Sequence, residues 1–207
     1  CVLLTDSNAT LDALRTVLGK GSSVIHIAAH GQLDRVAPAM SSIILSGSDR
    51  LTLAGLADLE LNADLAILSA CDSGRGAATM GGELIGLSRA LLLAGVRRCL
   101  VSLWPVNDIT ACVLMEAFHR HVHRAPPAEA LFNAQQEIRV LTEQELLQRY
   151  ADFGGEVTTE ATARRRGRLR RGLQLDAEFS EDVLSDDPQG LDGKLPLVWA
   201  PFVLVGC

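Results

Sequence analysis

The sequence predicts an α/β protein with a mostly parallel central sheet, and two observations support that fold class. First, three runs of the chain are apolar almost throughout, at residues 23–29, 64–70 and 98–103. Strands of this kind are buried on both faces, as in a parallel sheet that helices cover. Second, segments with helical spacing of their apolar residues separate these runs, so that strands and helices alternate along the chain.

Local signals mark where many of the predicted elements begin and end. The first predicted helix closes at Gly19, a later helix closes at Gly95, and Pro127 lies in the first turn of another. The predicted strands are at 1–5, 23–29, 42–45, 64–70, 98–103 and 199–206, and the predicted helices are at 9–18, 52–58, 83–94, 107–122 and 128–150.

Length, charge and cysteine content exclude several classes of protein. The 207 residues suffice for one domain, and 48% of them are hydrophobic. The net charge of −6 disfavours direct binding to nucleic acid. No apolar run reaches the ~20 residues of a membrane helix, and no signal peptide opens the chain, so a cytoplasmic location is expected. The five cysteines lack CxxC spacing, which argues against disulfides and a zinc site.

Two features concern domain organisation. The chain opens on Cys1 within an apolar run, so we expect it to be the C-terminal part of a longer polypeptide. Residues 151–195 carry six arginines between 164 and 171, followed by seven acids between 176 and 192. This composition predicts a flexible charged insertion within a single domain that spans residues 1–207.

Two chemically reactive side chains follow two of the predicted strands. His30 comes after the strand at 23–29, and Cys71 comes after the strand at 64–70. Ligands of open parallel sheets bind at the carboxyl ends of the strands, so these side chains would face each other if the strands are neighbours. An imidazole that takes the proton of a thiol produces a nucleophile for a carbonyl carbon.

Such an attack needs donors for the oxyanion that develops, and the backbone N–H groups of Gly31 and Cys71 are candidates. The alternative is structural. A cysteine at the end of an apolar strand is often a small buried side chain, and a histidine before a glycine is often an ordinary loop residue.

Several ordered motifs resemble those of CHAT domains, which are caspase-like cysteine peptidases related to separase. The two central motifs are HIAAHG at residues 26–31 and LSACDSG at residues 68–74. The similarity covers nearly the whole chain outside 151–195. Further matching segments are GELIGLSRALLLAGV at 82–96, SLWPVND at 102–108, ALFNAQ at 130–135 and WAPFVLVG at 199–206.

The resemblance implies a three-layer αβα sandwich of the caspase type and a cysteine endopeptidase that needs no cofactor and no metal. Cys71 would be the nucleophile and His30 the general base, with the Gly31 and Cys71 amides as the oxyanion hole. It also places Asp108 near the substrate pocket. Asp72 is a second acid close to the nucleophile, and Trp104 is a candidate pocket wall.

An acidic pocket would favour an Arg or Lys side chain in the substrate, through charge-assisted pairing. Two of these assignments have structural alternatives. Asp108 is also a suitable helix N-cap, and Trp104 is equally suited to core packing.

CHAT domains usually accompany repeat-built or other interaction domains in bacterial signalling and defence. A regulatory repeat or sensor region is therefore an expected partner, besides the protein substrate. Two other functions stay open: a non-catalytic scaffold that binds partners, and a different thiol acyl-transfer enzyme. The arginines of the insertion suit self-cleavage, although a solvated loop explains the charge blocks more simply.

Other reactive residues are interpreted as structural. Cys99 and Cys112 are predicted to be core residues, and His26 is predicted to point into the packing. His119 and His123 share a helix face, but two metal ligands without a third are weak evidence for a metal site.

Overall fold

The computed structural model describes residues 1–32, 34, 36–69, 80–102, 106, 108–154 and 200–206. The chain divides into two compact units. The first comprises Cys1–Trp104 and Phe202–Cys207, and the second comprises Pro105–Pro201.

The described residues of the first unit form a four-stranded main sheet and three α-helices. Its strands have the order β1-β5-β6-β7, with β1, β5 and β6 parallel and β7 antiparallel to β6. The predicted mixed α/β fold with a mostly parallel central sheet is confirmed, and it is consistent with a caspase-like fold. The elements of the first unit are α1 (Leu11–Leu18), β1 (Val24–Ile27), β2 (Gly31–Gln32), β3 (Ser42–Ile44), β4 (Arg50–Thr52), α2 (Leu53–Ala57), β5 (Leu65–Leu68), α3 (Met80–Leu93), β6 (Arg98–Ser102) and β7 (Phe202–Gly206).

One face of this sheet builds the core of the first unit. Aligned rows of side chains cross the strands, because Ile25 lies opposite Ala66, and Ala66 lies opposite Cys99. The same rows pack against apolar residues of α1, α2 and α3. Leu56 of α2 and Leu91 of α3 are almost completely buried there. The helices therefore fix the sheet through a shared apolar core.

A small antiparallel sheet of β2, β3 and β4 follows β1 directly. Its Ile43 and Leu51 are buried in the same core as the main sheet. The Thr52 hydroxyl accepts a hydrogen bond from the Gly55 N–H at 3.0 Å and thereby caps α2. The sequence predicts β3 and α2, but it does not predict the short strands β2 and β4.

The described residues of the second unit form three helices, α4 (Asp108–Val122), α5 (Pro127–Arg139) and α6 (Glu143–Asp152). The prediction of one continuous helix over 128–150 was wrong. The helix is interrupted before Thr142. The Thr142 hydroxyl accepts a hydrogen bond from the Glu145 N–H, and the Glu145 carboxylate accepts one from the Thr142 N–H at 2.8 Å. This reciprocal capping box starts a new helix.

Two boundaries also differ from the prediction. Residues 1–5 form no strand, and Leu3 is 81% exposed there. An apolar run forms a strand only where a neighbouring strand pairs with its backbone groups. No described strand pairs with residues 1–5. Helix α6 extends to Asp152, into the predicted insertion; residues 155–199 lie outside the described part of the chain.

No helix within the described residues is long and apolar enough to cross a bilayer.

Candidate functional site

The carboxyl ends of β1 and β5 lie side by side. Ile27 is paired with Leu68, and the Ser69 N–H donates to the Ile27 carbonyl at 2.9 Å. The condition stated above, that these two strands are neighbours, is therefore met. His30 is three residues beyond Ile27, and Cys71 is three residues beyond Leu68. Cys71 itself lies outside the described residues.

His30 is exposed at the point where the chain leaves β1 and enters β2. Its carbonyl oxygen accepts a hydrogen bond from the Ile44 N–H at 2.8 Å. Since β3 belongs to the small sheet that shares the main core, this bond anchors the backbone of His30 to a rigid element. The imidazole therefore starts from a fixed backbone position at the edge where β1 and β5 end.

Gly31 is placed so that its N–H is directed away from β3. The bond from Ile44 to His30 makes Gly31 and Ile43 a non-hydrogen-bonded pair of the antiparallel ladder. A Cβ at Gly31 would meet no described atom within 4 Å. The ladder with β3 therefore does not use the amide of Gly31, and no described atom would crowd a side chain at this position.

Of the predicted pocket residues, only Asp108 lies within the described part of the chain. Asp72 and Trp104, like Cys71, lie outside the described residues. Asp108 is exposed and is the first residue of α4 in the second unit. It belongs to the first turn of the helix, where the positive end of the helix dipole favours a carboxylate.

Among the described thiols, Cys1 is exposed, whereas Cys99 and Cys112 are buried to different extents. Cys99 is completely buried, its Sγ donates to the Ser88 carbonyl at 3.7 Å, and burial raises its pKa to about 11. This confirms the core prediction for Cys99. Cys112 is only half-buried, and its pKa is raised by burial and by the nearby charge of Glu116. Neither thiol has the lowered pKa of an activated nucleophile.

His26 contradicts the prediction that it points into the packing. Strand β1 buries Ile25 and Ile27, so His26 between them lies on the exposed face. Its Nε2 is 3.4 Å from the Oγ of Ser69. The alternation of Ile25 and Ile27 in the sequence was the signal that could have placed His26 on the opposite face.

The two histidines of α4 differ in their surroundings. The Nε2 of His121 is 2.6 Å from Oε1 of Glu137. His119 is half-buried, and burial, with a smaller effect of His123, lowers its pKa. Within the described part of the chain, no group of three His, Cys, Asp or Glu side chains is arranged to hold a metal ion.

Comparison with known proteins gives two results. Tetratricopeptide repeat protein 28 from Mus musculus is 41% identical over 69 residues, which are 33% of this chain and 3% of that protein. The chain therefore spans only a small part of the length of this relative. The family model of the CHAT domain matches residues 1–207, the whole chain. The chain thus belongs to the CHAT family, within the caspase-like clan of cysteine peptidases.

Proposed function

We propose that this CHAT domain is a cysteine endopeptidase that cleaves a protein substrate with a His30–Cys71 dyad. The observation that carries the proposal is the pairing of β1 with β5, with Ile27 opposite Leu68. His30 and Cys71 follow these paired residues by the same number of positions. Parallel neighbours end at the same edge of a sheet, which is where open α/β folds bind their ligands.

The proposed reaction begins when His30 takes the proton of the Cys71 thiol. The thiolate attacks the carbonyl carbon of the scissile peptide, and the carbonyl electrons move to oxygen. The N–H groups of Gly31 and Cys71 donate to this oxyanion. The orientation of the Gly31 amide away from β3 supports its part in this step.

Collapse of the oxyanion expels the amine, which takes the proton from His30, and leaves a thioester on Cys71. Water then attacks the thioester with His30 again as the base, and the acid product leaves as the thiol is restored. These steps need no metal and no organic cofactor.

The substrate preference is part of the proposal. Asp72 and Asp108 would supply negative charge to the pocket, and Trp104 would form a wall of it. Carboxylates favour Arg or Lys through charge-assisted hydrogen bonds. The exposure of the Asp108 side chain at the start of α4 is compatible with a binding role.

We further propose that the domain works with a repeat-bearing region or partner. The support is the relative from mouse, whose name refers to tetratricopeptide repeats. Such a region would hold the peptidase inactive until a signal arrives, in a signalling or defence system of the bacterial type.

Cleavage of a mixed peptide library, read by mass spectrometry, tests the proposed function. Wild type is compared with Cys71→Ala and His30→Ala, and Cys112→Ala is the matched control. We expect cuts after basic residues that disappear in the first two variants and persist in the third. Cuts that survive in His30→Ala would contradict the dyad. If iodoacetamide labels Cys71 no faster than it labels the other thiols, a scaffold that binds partners would be favoured.

A further inference from the structure

A second histidine, His26, lies within β1, four residues before His30. His26 is exposed on the face of β1 that does not enter the core. Three residues separate His26 from His30 along the chain, and the middle one, Ala28, is also exposed. A valine or isoleucine would suit the strand better than histidine on propensity alone, so the imidazole calls for an explanation by its contacts.

The contact of His26 crosses to the neighbouring strand. His26 is paired with Ile67, and Ser69 comes two residues later, just after the end of β5, on the same side of the sheet. The Nε2 of His26 therefore reaches diagonally to the Ser69 Oγ, at 3.4 Å. This contact joins β1 to the segment that continues from β5 towards Cys71.

Ser69 is consequently held to β1 by two groups. Its N–H donates to the Ile27 carbonyl at 2.9 Å, and its hydroxyl contacts the imidazole of His26. The main-chain hydrogen bond sets the position of Ser69 along the direction of β1. The side-chain contact adds a restraint on its rotation, immediately before the residues that carry the nucleophile.

His30, the other residue of the proposed dyad, is held by a separate hydrogen bond of its backbone. The carbonyl of His30 accepts from Ile44 in the small sheet. The two segments that lead to His30 and Cys71 are thus restrained separately, one by β3 and the other by β1 itself. Reactive pairs tolerate little misplacement, since a displacement on the order of 1 Å can cost ~100-fold in rate.

The geometry points to His26 as a positioning residue that acts through Ser69 to hold the Cys71 segment at the distance that His30 requires. This inference rests on the proposed His30–Cys71 dyad. His26 does not touch the reacting atoms. Its role is to restrain the end of β5.

The rate at which iodoacetamide alkylates Cys71, read by peptide mapping, tests this role without knowledge of the substrate. Cys1 and Cys112 of the same chain serve as internal references. We expect His26→Ala and Ser69→Ala each to slow the alkylation of Cys71 about tenfold, and the double variant to be no slower than either single variant. The melting temperature and the reference thiols should stay as in wild type.

Two further variants separate positioning from general structure. His26→Gln should restore most of the rate, because an amide offers both a donor and an acceptor at a similar reach. Val24→Ala, on the same face of β1 but opposite Leu65, should leave the rate within about twofold of wild type.

The outcomes are distinguishable. If His30→Ala slows alkylation but His26→Ala does not, the dyad stands and the positioning role is wrong. Additive losses in the double variant, or no rescue by His26→Gln, would also overturn it. If His30→Ala leaves the rate unchanged, the proposed function fails, and the positioning role fails with it.

Discussion

Thiol chemistry is decided by the immediate surroundings of each cysteine. Cys99 lies in the row of side chains that crosses the main sheet, between Ala66 and β7, and has no contact with water. Cys1 is exposed. Only the thiolate reacts as a nucleophile, so burial suppresses the reactivity of Cys99 twice, through its raised pKa and through lack of access.

Iodoacetamide should therefore modify native Cys99 far more slowly than Cys1. The pKa of Cys99 is raised from 9.0 to about 11, which by itself lowers its thiolate fraction about 100-fold at neutral pH. Peptide mapping after timed labelling measures the two rates. Labelling in denaturant is the control and should make the rates similar. Fast labelling of Cys99 in the folded protein would contradict its burial.

Glu137 holds the most connected set of charges described in the second unit. Its carboxylate accepts from Arg120 at 2.8 Å, lies 2.6 Å from Nε2 of His121, and is 3.6 Å from Arg149. These contacts join α5 to α4 and α6. Burial acts to raise the pKa of Glu137, but the hydrogen bonds from Arg120 and His121 outweigh it and lower the pKa below its ordinary value.

We expect Glu137→Gln to lower the free energy of unfolding by about 1 kcal/mol at neutral pH, since partial exposure limits each pair. A lowered pKa stabilises the fold above the ordinary value of 4.5, and this contribution is lost as the pH falls through the folded pKa. The difference from wild type should therefore shrink between about pH 6 and pH 3. Urea titrations measure it, with the exposed Glu129→Gln as the control. A difference that grows in acid would contradict the assignment.

At the scale of elements, the turn between α3 and β6 depends on a glycine. Gly95 has a φ of +102°, and a Cβ there would lie against the carbonyl oxygen of Leu61. The neighbouring Ala94 carbonyl accepts from the Leu61 N–H at 2.6 Å. The end of α3 is therefore pressed against the segment that leads into β5.

Gly95→Ala should destabilise the protein by more than ~2 kcal/mol, because a left-handed backbone and a clash with main chain act together. Gly21→Ala is the matched control. Gly21 also has a positive φ, of +77°, but a Cβ there meets no described atom within 4 Å, so only about 1 kcal/mol is expected. Thermal unfolding compares the two. Equal losses would show that crowding at Leu61 is unimportant.

The start of α6 offers a second test at this scale. Thr142→Ala removes the hydroxyl of the capping box and should cost about 1 kcal/mol. Thr142→Ser keeps the hydroxyl and should cost less than half as much. Denaturant unfolding of both variants gives the comparison. A serine variant as unstable as the alanine variant would argue against the cap.

The whole chain matches one family, while its described residues fall into two compact units. The segment predicted to be a flexible charged insertion lies almost entirely outside the described residues. The simpler hypothesis treats it as a solvated loop. We therefore expect wild type and Cys71→Ala each to keep its own full-length mass after long incubation. A loss of mass in wild type alone would instead establish self-cleavage.

The sequence alone determined the buried strands of the main sheet, most of the helices and the two central motifs. Apolar runs predicted β1, β5 and β6 because strands in a covered parallel sheet need apolar side chains on both faces. The motifs around His30 and Cys71 identified the family. The capping box at Thr142 was equally readable, since Glu145 follows at the required spacing, and the prediction of one long helix overlooked it.

Only the tertiary structure decided how these elements meet. Local spacing does not specify which strands pair, so the neighbouring positions of β1 and β5 and the antiparallel direction of β7 depend on contacts distant in sequence. The same is true of His26. Its exposure and its contact with Ser69 follow from which face of β1 the helices cover, and the burial of Ile25 and Ile27 decides that face.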